Sequence, residues 1–103
     1  MAEQSHGFEV PNNHPALEDH FPGNPLVPGA LILDQVLLGC EIFAIKPIND
    51  LALKEIKFKS PLRGGEKALV TYLDSPVGIR FKVWVEAREI ASGIVVHQNL
   101  MPE

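Results

Sequence analysis

A histidine and an aspartate, His20 and Asp34, stand fourteen residues apart in this 103-residue chain, separated by a stretch rich in proline and glycine. Imidazole titrates near neutrality, so His20 can accept a proton at physiological pH. Asp34 falls among Ile32, Leu33, Val36 and Leu37. Burial there would favour a neutral carboxyl, able to give its proton to a departing hydroxyl. Between the two, Pro28-Gly29 opens an apolar run. A backbone N–H at a helix start lies at the positive end of the helix dipole and can hydrogen-bond an oxygen that gains negative charge. Gly29, lacking a Cβ, would also let a substrate come close. A base, an acid and an N–H donor together suit two proton transfers on one substrate. Phe21, Pro22, Gly23 and Pro28 would restrict the backbone and hold the imidazole in place.

Each residue also has a plainer use when read alone. A loop histidine is commonly solvated or structural, and a glycine commonly marks a turn. Asp34, Gln35 and Glu41 could form a solvent-facing stripe, although Leu37, Leu38 and Ile45 interrupt it. His6, His14 and His97 have no carboxylate or cysteine at metal-like spacing, so no metal site is expected. Cys40, the sole cysteine, sits in the apolar run and reads as a small core residue. Gly64-Gly65 are turn residues without a phosphate-loop pattern around them.

The elements that must carry these residues follow from the pattern. Pro11, Pro15, Pro22, Pro25 and Pro28 crowd into eighteen residues, which excludes a long helix or a central strand there. That segment reads as an ordered irregular loop, with one helical turn at His14 to Glu18 after the capping candidate Asn13. From Gly29 to Lys46 the length and composition predict a helix, with Pro28 at its start and Pro47 at its stop. Its apolar residues cover nearly the whole circumference, so it should be wrapped by a sheet. Gly39 inside it implies close packing against a neighbour. Strands are predicted at Leu53 to Ser60, Lys67 to Asp74, Gly78 to Arg88 and Glu89 to Gln98, and a further one around His6 to Val10. Turns are expected at Pro61-Leu62-Arg63-Gly64-Gly65 and Ser75-Pro76-Val77-Gly78. Ile79, Phe81, Val83, Val85 and Ala87 alternate with polar or amphipathic residues, the mark of a sheet with one buried face. The sum is an α+β domain, one long helix on an antiparallel sheet, spanning residues 1–103 as a single unit.

Composition narrows the class. With 46% hydrophobic and 21% charged residues the chain reads as one soluble globular domain. A core this small gains from association with another copy. Residues 1–45 hold six acids and no Lys or Arg, whereas all nine basic residues lie between Lys46 and Arg88. Nucleic acid is therefore not an expected partner. A basic patch of Lys54, Lys57, Lys59, Arg63, Lys67, Arg80 and Lys82 could meet an acidic protein. A lone cysteine and no signal-peptide pattern suggest a reducing, cytoplasmic setting, and no stretch suits a membrane span.

The segment His20-Phe21-Pro22-Gly23, then Pro25, Pro28-Gly29 and Asp34, resembles the FabZ/FabA-type 3-hydroxyacyl-acyl-carrier-protein dehydratases. Ile56-Lys57-Phe58-Lys59-Ser60-Pro61, Gly65-Glu66 and Phe81 to Val96 are similar to the family's strand region, so the likeness runs from about His14 to His97. The resemblance implies a hot-dog fold, a sheet wrapped around a central helix, and a homodimer or higher oligomer, a heterodimer being an alternative. It implies that His20 is the catalytic histidine, Asp34 the catalytic acid and Gly29 the donor to the thioester carbonyl, with histidine and acid of one site drawn from different subunits. It also implies a substrate carried on acyl carrier protein and no metal or organic cofactor. Asp34 is the FabA-like choice of acid, while Phe21-Pro22-Gly23 is FabZ-like. The chain departs from the pattern at Asp19, where the family commonly has Gly, and at Gln35 and Leu38, where it has a small residue and a Gln. A hot-dog thioesterase and a non-catalytic acyl-binding or heterodimer subunit are the alternative readings.

Overall fold

The computed structural model describes residues 4–17, 26–44 and 51–97. His20, Phe21, Pro22 and Gly23 lie outside the described residues. Among the described residues, five strands and one long helix make up the frame: β1 (Gln4–Glu9), α1 (Gly29–Ala44), β2 (Leu51–Phe58), β3 (Lys67–Ser75), β4 (Gly78–Val85) and β5 (Arg88–His97). A single 3-10 turn, Pro15–Leu17, stands where the helical turn is expected. The strands form one antiparallel sheet in the order β1-β3-β4-β5-β2.

Period-two alternation decides which side of the sheet is apolar. Val70 pairs with Val83 and Tyr72 with Phe81, and all four are buried. Thr71, Arg80 and Lys82 point the other way. Onto the apolar face α1 lays Ile32, Val36 and Cys40, each nearly fully buried. Gly39 makes the approach close: a Cβ there would collide with the Tyr72 hydroxyl, which donates a hydrogen bond to the Val36 carbonyl at 2.7 Å. Burial pushes the Tyr72 hydroxyl well above its ordinary pKa, so it stays a donor.

Two boundaries differ from the sequence reading. The run Gly78 to Arg88, expected as one strand, ends at Val85, and a turn at Glu86-Ala87 reverses the chain. Glu86 adopts φ 53°, a conformation that a glutamate does not advertise. In β2, Lys54 pairs with Ile94 but Lys57 with Ser92, so two residues oppose one. Glu55, at φ 54°, lies in this bulge. The bulge shifts the parity of the strand: Leu51 and Leu53 face the helix before it, Ile56 and Phe58 after it.

The helix is also less enclosed than expected. Ala30, Asp34, Leu38 and Ile42, spaced four apart along one row, are all exposed. A helix apolar all round is therefore covered by its own sheet on one side only. No described helix is long and apolar enough to cross a membrane.

Candidate active site

The start of α1 is fixed by a chain of contacts that begins far away in sequence. Arg88 donates to the Pro61 carbonyl at 2.7 Å and to Glu66 Oε2 at 2.6 Å. Glu66 Oε1 accepts the Arg63 N–H at 2.8 Å. Partial burial works against it, but the Arg63 N–H and the Arg88 guanidinium hold the Glu66 carboxyl below the usual carboxylate range. The loop so clamped pairs with the segment before the helix: Val27 N–H donates to the Leu62 carbonyl at 2.8 Å, and Leu26 bridges to Arg63. Pro28 then caps α1, its carbonyl accepting the Leu31 and Ile32 N–H groups at 3.0 and 3.4 Å. Gly29 and Ala30 follow, and no acidic side chain lies in the first turn to offset the dipole.

At this helix start lies a pocket of about 570 Å³, lined chiefly by Leu26, Val27, Gly29, Ile32, Phe58 and Leu62. Its size falls in the range of small-molecule sites, and most of its lining is apolar. A Cβ on Gly29 would stand 2.8 Å from Phe58 Cζ, so the tip of that ring fills the space. Sequence reasoning gave Phe58 a place in a strand but no place in the site. The available signal was the apolar parity, odd at Leu51 and Leu53 and even at Ile56 and Phe58, which betrays a bulge aiming Phe58 inward.

Asp34 lies one turn further along the helix. The expectation of a buried carboxyl is not met within one chain, because Asp34 is exposed. Its neighbours in the row are Ala30, Leu38 and Ile42, the last two 37% and 57% exposed. A single carboxylate thus interrupts an apolar surface stripe. Gln35, one residue on, is engaged elsewhere: His6 Nε2 donates to its Oε1 at 3.0 Å. The structure thus places Gly29 and Asp34 on the first two turns of one helix, while His20 is among the undescribed residues.

Cys40 is buried, and burial pushes its thiol up to about 11, which suits a core residue and not a nucleophile. Among the described residues no group of three or more His, Cys, Asp or Glu could hold a metal ion. A second cavity, about 640 Å³, lies against the opposite face of the sheet near Lys57, Arg80, Lys82 and Trp84. It is remote from this chemistry, since those cations alternate with Phe58, Phe81 and Val83, which face the helix side.

Comparisons with known proteins agree with this frame. The fold is like that of the dehydratase heterocomplex ApeI:P from Xenorhabdus doucetiae, with a TM-score of 0.71 at 18% identity over 90% of this chain and 84% of that one. It is also like the fluoroacetyl-CoA thioesterase FlK, with a TM-score of 0.63 at 16% identity over 95% and 87% of the two chains. At such identities the likeness establishes the hot-dog fold. In sequence, the chain is 33% identical to the 3-hydroxyacyl-[acyl-carrier-protein] dehydratase FabZ of Blochmanniella floridana over 82 residues, 68% of this chain and 54% of the relative. The FabZ of Pectobacterium atrosepticum matches to the same extent. The chain spans about half the length of these curated relatives. The family profile of ApeI dehydratase matches residues 2–94, and the chain accordingly belongs to the ApeI-like dehydratase family.

Proposed function

We propose that this protein removes water from a (3R)-3-hydroxyacyl thioester to give the trans-2-enoyl thioester, in fatty-acid or related lipid biosynthesis. The observation that carries this reading is the membership of the dehydratase family together with a largely apolar pocket opening at Gly29. In the elimination, His20 takes a proton from C2. The Gly29 N–H steadies the negative charge gathering on the thioester oxygen, and Asp34 protonates the departing C3 hydroxyl, which leaves as water. The thioester already acidifies C2, so the protein's task is two placed proton transfers, each worth about 10²- to 10⁴-fold. Phe21, Pro22, Gly23 and Pro28 hold the loop in this scheme.

A second copy or a related subunit completes the site. The exposed row of Ala30, Leu38 and Ile42 around Asp34 supports this, because covering it would desolvate the carboxyl and supply a wall that one chain lacks. The carrier is an acidic acyl carrier protein. The seven candidate cations do not serve it equally. Lys59 borders the pocket and pairs with Glu89 at 2.8 Å, and Arg63 bridges to Leu26 beside it. Lys57, Arg80 and Lys82 lie across the sheet and could not deliver a thioester to Gly29. The buried free thiol of Cys40 accords with a reducing, cytoplasmic setting.

A panel of 3-hydroxyacyl and enoyl thioesters, on carrier protein and on coenzyme A, tests the class. Dehydration changes the absorbance at the new double bond and leaves the thioester intact. Release of free thiol without that change would replace dehydration by hydrolysis. Arg63→Glu should lower turnover of the carrier-bound substrate more than of the coenzyme A substrate, and Lys82→Glu should lower neither; equal effects on both carriers would remove Arg63 from the docking surface.

A further inference from the structure

We infer that Phe58 is a specificity-determining residue: its ring forms the wall against which the acyl chain of the substrate packs beside Gly29. The inference rests on the acyl-thioester reading given above. Three observations carry it. The bulge in β2 inserts Glu55 at φ 54°, a conformation unfavourable for a residue with a Cβ, and thereby turns Phe58 toward the helix. Without the extra residue, the parity set by Leu51 and Leu53 would send position 58 to the far side of the sheet. Phe58 is nevertheless 52% exposed, although its cross-strand partner Ala91 is fully buried. A strained backbone that aims a large aromatic inward and leaves half of it uncovered is poorly explained by core packing. Finally, the tip of the ring abuts Gly29 while the ring lines the pocket with Leu26, Val27, Ile32 and Leu62.

The chemistry this wall recognises is a flexible hydrocarbon chain. The ring offers a flat apolar surface without a hydrogen-bonding group, and its contact with Gly29 stops it from moving deeper. The boundary it sets is one of length and bulk. Removing the ring extends the pocket along the helix start, so long chains gain room and short chains lose a contact surface. A difference of one or two methylenes in such a pocket changes selectivity by about tenfold to a few hundredfold.

The test compares wild type with Phe58→Ala and Phe58→Leu on short, medium and long (3R)-3-hydroxyacyl pantetheines. Turnover is measured on the thioesters, and calorimetric binding on the unreactive thioethers. For Phe58→Ala the ratio of kcat/KM for long over short chains should rise by about tenfold or more, mainly through KM, with the thioether Kd ratio moving the same way. Phe58→Leu, which keeps a bulky apolar side chain, should fall between and remain interpretable if the alanine variant folds poorly. A uniform loss at every length would make Phe58 a packing wedge and overturn the inference, as would an unchanged profile accompanied by a changed oligomeric mass. The binding arm needs no catalysis. Absent turnover by the wild type would sink the dehydratase reading while the Kd profile still judged Phe58.

Discussion

Gly29 and Phe58 are matched at the level of single atoms, and the match makes a coupling prediction. Gly29→Ala places a methyl group against the tip of the half-exposed Phe58 ring, which must swing aside, so the variant should lose part of the helix propensity that alanine otherwise adds. In the Gly29→Ala/Phe58→Ala double variant that clash is gone, so the two changes should cost less together than their sum. Chemical denaturation of the four proteins measures the coupling, and additive costs would mean that the two groups do not touch. Tyr72→Phe removes the hydrogen bond to the Val36 carbonyl and should cost about 0.5–1.5 kcal/mol. At this scale the helix start at Pro28-Gly29 was legible in the sequence, whereas the exposure of Asp34 was not. Phe58 was harder to read, because its role depends on the bulge at Glu55, which the sequence marks only by the change of apolar parity between Leu53 and Ile56.

The elements transmit position from one end of the sheet to the helix start. Arg88 opens β5, Glu66 precedes β3, and their contact holds the loop on which Leu62 and Arg63 grip Leu26 and Val27. Glu66→Gln should therefore lower stability and loosen substrate binding without touching a reacting atom. The pH dependence has a definite sign. The folded Glu66 carboxyl lies below its ordinary value of 4.5, so its contribution is present above that pH and is lost as pH falls through the folded value. Denaturation of wild type and Glu66→Gln over a pH series should show a gap near neutrality that closes in acid. A gap that widened in acid would contradict the clamp. The helix, the alternating strands and the turn at Ser75 to Gly78 were legible in the sequence because each carries a period or a turn residue. The turn at Glu86-Ala87 was not, because the alternation runs through it without a glycine, asparagine or proline.

For the whole molecule, the open row on α1 is the decisive feature. An apolar circumference predicts a helix enclosed by other elements and wrapped by a sheet. The sheet covers one side, and Ala30, Asp34, Leu38 and Ile42 stay exposed. Periodicity could not show this, since a helix face waiting for another chain has the same composition as one facing its own core. Leu38, which departs from the family's Gln, lies in this row with Asp34. If a second copy covers the row, Ile42→Arg should shift the species seen in sedimentation toward monomer and reduce turnover in parallel. Unchanged mass with unchanged activity would leave Asp34 in a site made by one chain. The most direct test of the central claim is the absorbance-monitored hydration of an enoyl thioester by wild type, His20→Ala and Asp34→Asn, each with native circular dichroism. The proposed pair predicts robust wild-type turnover and a fall of about 10²-fold or more in both variants. Full activity in either variant would contradict it.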